Sequence, residues 1–418
     1  MRFFYSLMWY LALPLVLARL WWRGRKEPGY RGHWGERLGW YGEGEGGMPT
    51  IWLHAVSVGE TRAAEPLVDA LLAAYPDHRI LLTHMTPTGR ATGQQLFARH
   101  GARFLQSYLP YDTPGMVRRF LRRYTPRLCI LMETEVWPNL VATCAAERVP
   151  VALVNARLSS RSLRRGQRFG ALMTDAARGI TLVAAQTPAD AGRIASLGAT
   201  RVEITGSIKF DVVPPPAALE LGAWLRARIG KRPVLLCAST REGEEALILD
   251  AWCAQDNALL VLVPRHPQRF DDVAALAAAR GLSVQRRSQL AQDGSVDADV
   301  LLGDSMGEMF AYYAACDCAY IGGSLLPLGG QNLIEACAVG KPVLVGPHTF
   351  NFALATEQAV DAGAALRCAD AEAMLAAATG LLQDSLARGR MGEAAFAFAG
   401  QHRGATARTV ELLRQLIA

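Results

Sequence analysis

The chain holds 418 residues, with 44 Lys and Arg against 38 Asp and Glu, a formal net charge of +6. It is 51% hydrophobic and 20% charged, which excludes a disordered chain and a coiled coil, and its length suits two ordinary domains. The charge is confined: residues 1–40 hold seven basic residues against two Glu, plus five of the nine Trp, and the other 378 hold 37 against 36. No basic face remains for a nucleic acid, and the basic end points at a membrane surface.

Phe3 to Leu17 is apolar except for Ser6, and Leu20, Trp21 and Trp22 extend it past Arg19. The positive cluster Arg19, Arg23, Arg25, Lys26 follows the apolar run, and no small-x-small site follows it. A cleaved signal peptide has the reverse order, so an uncleaved membrane anchor over residues 1–22 is expected. An interfacial helix is the milder version of the same reading. Positive-inside logic puts the cluster, and so the body, on the cytoplasmic side of the membrane. Residues 23–50 form a basic juxtamembrane segment and a linker. Gly42, Gly44 and Gly47 match G-x-G-x-x-G formally, but the match precedes the first strand instead of following it, so it carries no nucleotide.

The body reads as two βαβ series, hence an α/β fold of two Rossmann-like domains. The first domain spans 51–211, with strands predicted at 51–55, 79–83, 128–132, 151–155, 182–185 and 202–205. Phe210–Pro216 (FDVVPPP) is a stiff break. The second spans 212–395, with strands at 234–238, 259–263, 300–302, 319–321 and 343–345. Residues 396–418 read as a helix returning toward the first domain. Two such domains are expected to hold a ligand in a cleft between them.

Candidate chemistry sits after predicted strands. Glu60 in His54-Ala-Val-Ser-Val-Gly-Glu60 opens a helix, where it serves as a general base or merely complements the helix dipole. In Glu133-Thr-Glu135-Val-Trp137-Pro138-Asn139 the two acids stand at i and i+2, so they face opposite ways while the chain is extended. Helix capping is the plainer role for both. Lys209 in Gly206-Ser-Ile-Lys209-Phe-Asp211 reaches an anion or pairs with Asp211 at the surface.

In the second series, Ala238–Glu244, Pro264-Arg265-His266, Gly303–Met309 and the glycine-rich Gly322–Glu335 stretch all follow strands, a pattern that suits a nucleotide. Gly340-Lys341 is followed by Pro342, which excludes a P-loop. The arginines at 118, 119, 122, 123 and at 157, 161, 164, 165, 168 form either solvated faces or a patch for anionic lipid headgroups. The Cys residues at 129, 144, 237, 253, 316, 318, 337 and 368 form no CxxC pair, and no HxxxH occurs, so no metal site is predicted and reduced, buried thiols are expected.

HAVSVGE, ETEVWPN, NARLSSRS, GSIKFD, STREGEE, PRHPQRF, GDSMGEM and GGSLLPLGG…GPHTFNF, in this order, resemble the 3-deoxy-D-manno-octulosonic acid (Kdo) transferases of lipopolysaccharide assembly, from the anchor to about residue 360. The resemblance implies a GT-B fold, inversion at the sugar, CMP-Kdo as donor and the phosphorylated glucosamine-disaccharide precursor of lipid A (lipid IVA) as acceptor. It implies neither a metal nor a cofactor. Position by position it makes Glu60 the base and Glu135 and Lys209 the transition-state stabilisers. It gives Pro264, Arg265, Met306, Gly307, Glu308, Asn332, Leu333, Ile334 and Glu335 to CMP. Where many members read GGHNPLEP, this chain has Gly329-Gly-Gln331-Asn332-Leu-Ile-Glu335-Ala336; Asn332 and Glu335 are kept, the His and both prolines are not. A UDP-sugar glycosyltransferase or epimerase, and a non-catalytic membrane-tethered lipid-phosphate binder, are the alternatives.

Overall fold

The computed structural model describes residues 1–42, 47–252 and 258–417. Linker residues 43–46 (with Gly44), Cys253 and Ala418 lie outside the described residues. The chain divides into two compact units, Met1–Asp211 with Arg403–Ala418, and Val212–His402.

The first unit is built on seven parallel strands: β1 (Thr50–His54), β2 (Arg79–His84), β3 (Phe104–Tyr108), β4 (Pro126–Met132), β5 (Val151–Ala156), β6 (Leu182–Ala185) and β7 (Val202–Ile204). Their order is β3-β2-β1-β4-β5-β6-β7. β1 is buried on both faces, as a central parallel strand must be. Alternate residues feed two cores. Ile51, Leu53, Ile80 and Ile130 meet Leu67 and Phe97 on one side. Trp52, Leu81, Cys129 and Leu131 meet Phe120 and Leu140 on the other. The helix Ala405–Arg414 inserts Val410 and Leu413 into the first of these cores. Asp211 accepts from the amides of Gly404 and Thr406 at its start, both at 2.5 Å.

The second unit repeats the plan with β8 (Val234–Thr240), β9 (Leu259–Pro264), β10 (Val284–Arg286), β11 (Val300–Leu302), β12 (Cys318–Ile321), β13 (Val343–Val345) and β14 (Ala365–Arg367). The order is β10-β11-β9-β8-β12-β13-β14, again all parallel. Three strands escaped the sequence reading: β3, β10 and β14. All are edge strands, and FLQSY, VQR and ALR lack the continuous apolar run of a central strand. The seven described cysteines are free and buried.

The amino-terminal apolar run forms one helix, α1 (Arg2–Arg23), long and apolar enough to cross a membrane. It does not stand free. Trp9, Leu13, Val16, Leu17 and Leu20 pack on Tyr30, Leu38, Tyr111 and Met116 of the same unit.

Candidate active site

Parallel strands aim their carboxyl ends at one edge of the sheet, so the loops after β1, β4, β5 and β7 converge. Ser57 caps the helix Val58–Ala63, accepting from the Glu60 amide at 3.4 Å. The Glu60 side chain folds back so that Oε2 accepts from the Val56 amide at 2.7 Å. Burial raises its carboxyl up to about 7; the Val56 N–H opposes this, and the charges of Glu135 and Glu133 reinforce it.

Both acids of the ETE motif therefore lie close enough to repel Glu60. The expectation of opposite faces fails because β4 ends at Met132 and Glu133 adopts a left-handed φ of +53°. Glu133 is 4% exposed. One of its oxygens takes Lys209 Nζ at 2.8 Å and the other takes Arg157 Nε at 3.0 Å. Glu135 instead accepts from Trp137 Nε1 at 3.0 Å. Burial, with Glu133 adding to it, raises its carboxyl above the usual range. Lys209 thus pairs with Glu133, not with Asp211, whose carboxylate caps the last helix.

Three further residues lie behind this arrangement. Asn155, also left-handed at φ +50° and fully buried, accepts from the Ile208 amide at 3.2 Å and so fixes the turn that carries Lys209. Beneath the loop, His54 and His84 are buried and neutral, pushed down to about 3 and about 4 by desolvation.

In the second unit the predicted nucleotide residues again gather at strand carboxyl ends. Arg265 is exposed just after β9, its amide on the Thr240 carbonyl at 2.9 Å. Met306 is 64% exposed and Gly307 has φ +83°. Glu308 meets Arg287 at 3.1 Å and Ser305 at 2.6 Å. Asn332 donates to Glu335 Oε1 at 3.1 Å and accepts from the Ile334 amide at 3.0 Å. Leu333 and Ile334 are each 1% exposed, so their side chains belong to the core and only their main chain is left for a ligand. The glycine-rich loop closes on itself, with Gln331 N donating to Gly322 O at 3.0 Å and Gly330 N to Gly323 O at 2.7 Å. A Cβ at Gly322 would meet Ser239 O at 2.4 Å, which is why glycine stands there.

Sequence reasoning missed the residue that organises this loop. Glu244, with no exposed surface, accepts from Tyr320 Oη (2.7 Å) and from the amides of Gly323 (2.6 Å), Leu325 (3.0 Å) and Arg241 (2.9 Å). Its neighbour Glu245 takes Thr240 (2.8 Å) and Arg269 (2.6 Å). Two adjacent acids opening a helix look like ordinary dipole complements, so only their burial marks them. Glu133 and Arg157 were singled out in the sequence, but their pairing was not, and Asn155 was read only as the end of a strand.

The arginine clusters separate. Arg119 is spent on the carbonyls of Gly39 (2.9 Å) and Leu38 (2.7 Å), and Arg118 faces Glu147 at 3.5 Å. Arg161, Arg164, Arg165 and Arg168 remain exposed on the helix Ser160–Arg168, none of whose residues is buried. Among the described residues no group of three or more His, Cys, Asp or Glu is arranged to hold a metal ion.

Residues 32–212 match the family profile described as 3-deoxy-D-manno-octulosonic-acid transferase (kdotransferase). The chain is 51% identical to the 3-deoxy-D-manno-octulosonic acid transferase of Bordetella pertussis over 374 residues, covering 87% of this chain and 86% of that one. It is 38% identical to that of Haemophilus influenzae over 424 residues, 99% and 98% of the two chains. In fold it is similar to a glycosyltransferase from Rickettsia africae (TM-score 0.59, 13% identity, 88% of this chain and 99% of that one). It is also similar to the UDP-GlcNAc 2-epimerase of Neisseria meningitidis (TM-score 0.57, 15% identity, 88% and 100%). At these identities the likenesses show the fold alone, a GT-B-like plan that this chain builds from two parallel seven-stranded sheets with helices.

Proposed function

We infer the reaction from one premise: this chain belongs to the 3-deoxy-D-manno-octulosonic acid transferase family, and it is a glycosyltransferase. It transfers Kdo in lipopolysaccharide assembly, with CMP-Kdo as donor and the glucosamine-disaccharide precursor of lipid A as acceptor. The observation that carries the mechanism is a half-buried Glu60 raised to about 7, beside a lysine held by Glu133.

In this reading Glu60 takes the proton from an acceptor hydroxyl, for which a carboxylate near neutrality is well matched. The freed oxygen bonds to the anomeric carbon of Kdo while the bond from that carbon to the CMP phosphate oxygen breaks on the opposite face. The electron pair leaves with the phosphate, and CMP departs as a stable monoester. Lys209 answers the negative charge of the Kdo carboxylate; Glu133 and Arg157 set its place, and Glu135 adds to the field that keeps Glu60 basic. Pro264, Arg265 and the 306–308 turn receive the CMP phosphate and base, and Asn332 with Glu335 receives ribose hydroxyls. The main chain at Leu333 and Ile334 completes that contact. The exposed arginines of Ser160–Arg168 suit the acceptor's phosphates. The helix α1 keeps the enzyme on the inner membrane, body on the cytoplasmic side, where a lipid acceptor is found.

The deciding experiment is a transfer assay with CMP-Kdo and the lipid A precursor, read by product mass. The native protein adds Kdo. Glu60→Ala adds none while CMP still raises its melting temperature; a Glu60→Ala protein with substantial transfer refutes the base. Stabilisation by UDP and not by CMP refutes the donor.

A further inference from the structure

The residues of α1 that touch the body form one stripe, at Tyr5, Ser6, Trp9, Leu13, Val16, Leu17 and Leu20. The stripe runs the length of the helix, and its polar fastenings lie at the far end from the linker. Tyr5 donates to Asp112 Oδ2 at 2.9 Å and Ser6 donates to Asn139 Oδ1 at 3.1 Å. The Trp9 ring lies 5.7 Å from that of Tyr111. The opposite face carries Phe3, Leu7, Met8, Leu11, Leu15 and Trp22, each 44–74% exposed. From Phe3 to Leu15 that face holds no charge.

A basic rim closes the end of this face. Arg23 stacks on Tyr30 at 4.2 Å, and Arg25 and Arg31 stack on Trp21 at 4.9 and 5.0 Å. No described acid pairs with Arg19, Arg23, Arg25 or Arg31. An apolar face flanked by aromatics and by arginines with no acidic partner matches a leaflet with anionic headgroups.

A crossing helix must be ringed by hydrocarbon for roughly 30 Å. At about 1.5 Å per residue α1 has the length, but its inner stripe is already occupied by the body out to Tyr5. Crossing would tear Tyr5 and Ser6 from Asp112 and Asn139, or drag that polar surface into the bilayer, where unsatisfied polar groups are strongly disfavoured.

We propose that α1 is an in-plane anchor: its inner stripe stays on the body, its outer face sinks into one leaflet, and the chain does not cross. This refines the membrane reading above and does not rest on the sugar chemistry.

The test uses the full chain with single cysteines at Arg2→Cys or Phe169→Cys, the latter an exposed body position, and a membrane-impermeant maleimide on sealed vesicles of each orientation. The native protein sets the background. Both cysteines are expected to label from the same side; labelling from opposite sides overturns the proposal. The triple variant Leu7→Ser/Leu11→Ser/Leu15→Ser is expected to lose at least tenfold in cosedimentation with phosphatidylglycerol–phosphatidylethanolamine vesicles, and undiminished binding also overturns it. Transfer to detergent-dispersed acceptor, measured on the native protein, reports separately on the reaction.

Discussion

Lys209 and Glu133 meet at 2.8 Å, although 76 positions separate them and the sequence pattern offered Asp211 as the lysine's company. The contact exists because Glu133 leaves the strand in a left-handed turn, which swings its carboxylate toward the turn after β7. Arg157 occupies the second oxygen, so the lysine is steered by a carboxylate that is itself held.

Removing either partner takes away the contact that places the other. Lys209→Met is expected to lower kcat by about a hundredfold, the scale of one lost charge stabiliser, with CMP affinity unchanged by calorimetry. Glu133→Ala is expected to cost about 1 kcal/mol of stability as well, because it removes the buried carboxylate that holds Lys209 and Arg157; urea denaturation reads this.

The raised Glu60 carboxyl fixes a pH profile. The base works ionised, so kcat/KM is expected to climb tenfold per pH unit below about 7 and to level above it. The folded state binds the Glu60 proton more tightly than the unfolded chain, so this group costs stability as pH rises from the ordinary carboxylate range through 7. Glu60→Gln should therefore raise the melting temperature at pH 8 while abolishing transfer. A flat pH profile would remove Glu60 as the base.

His54 and His84 act in the opposite sense. Their folded values near 3 and 4 lie below that of an unfolded histidine, so the unfolded chain binds more protons between. Stability should fall as pH drops from about 6.5 toward 4. His84→Gln is expected to flatten part of that slope in thermal melts at pH 5 and pH 7.

Glu244 predicts a separation between binding and chemistry. Glu244→Ala removes the acceptor for four donors in a fully buried place. It is expected to weaken CMP binding at least tenfold and to destabilise the protein by about 3 kcal/mol. Transfer at saturating donor should suffer less than binding, which a KM-against-kcat comparison resolves.

Asn155 separates backbone strain from hydrogen bonding. Asn155→Gly accepts the φ of +50° without a Cβ penalty but loses the bond to Ile208. Asn155→Ala loses both, and should be less stable than the glycine variant by about 1 kcal/mol. Both are expected to lower kcat about tenfold through a looser Lys209, without changing CMP affinity.

The confined charge, the apolar start, the two βαβ series and the motif at each strand end were legible along the chain, because they rest on composition, on local periodicity and on the rule that parallel strands present their carboxyl loops together. Glu60 and Lys209 could be singled out as candidates from that alone, and their proposed roles only through the resemblance. The edge strands β3, β10 and β14 could not, since a half-paired strand needs no unbroken apolar run. Nor could the partner of Lys209, because a non-glycine residue gives no sign in sequence that its φ will be positive. The buried roles of Glu244 and Glu245 depend on donors some 80 and 24 residues away. The inner stripe of α1 depends on Tyr111, Asp112 and Asn139. Composition marked α1 as apolar, but which side of it meets protein and which is left for lipid is decided only by the surface it packs against.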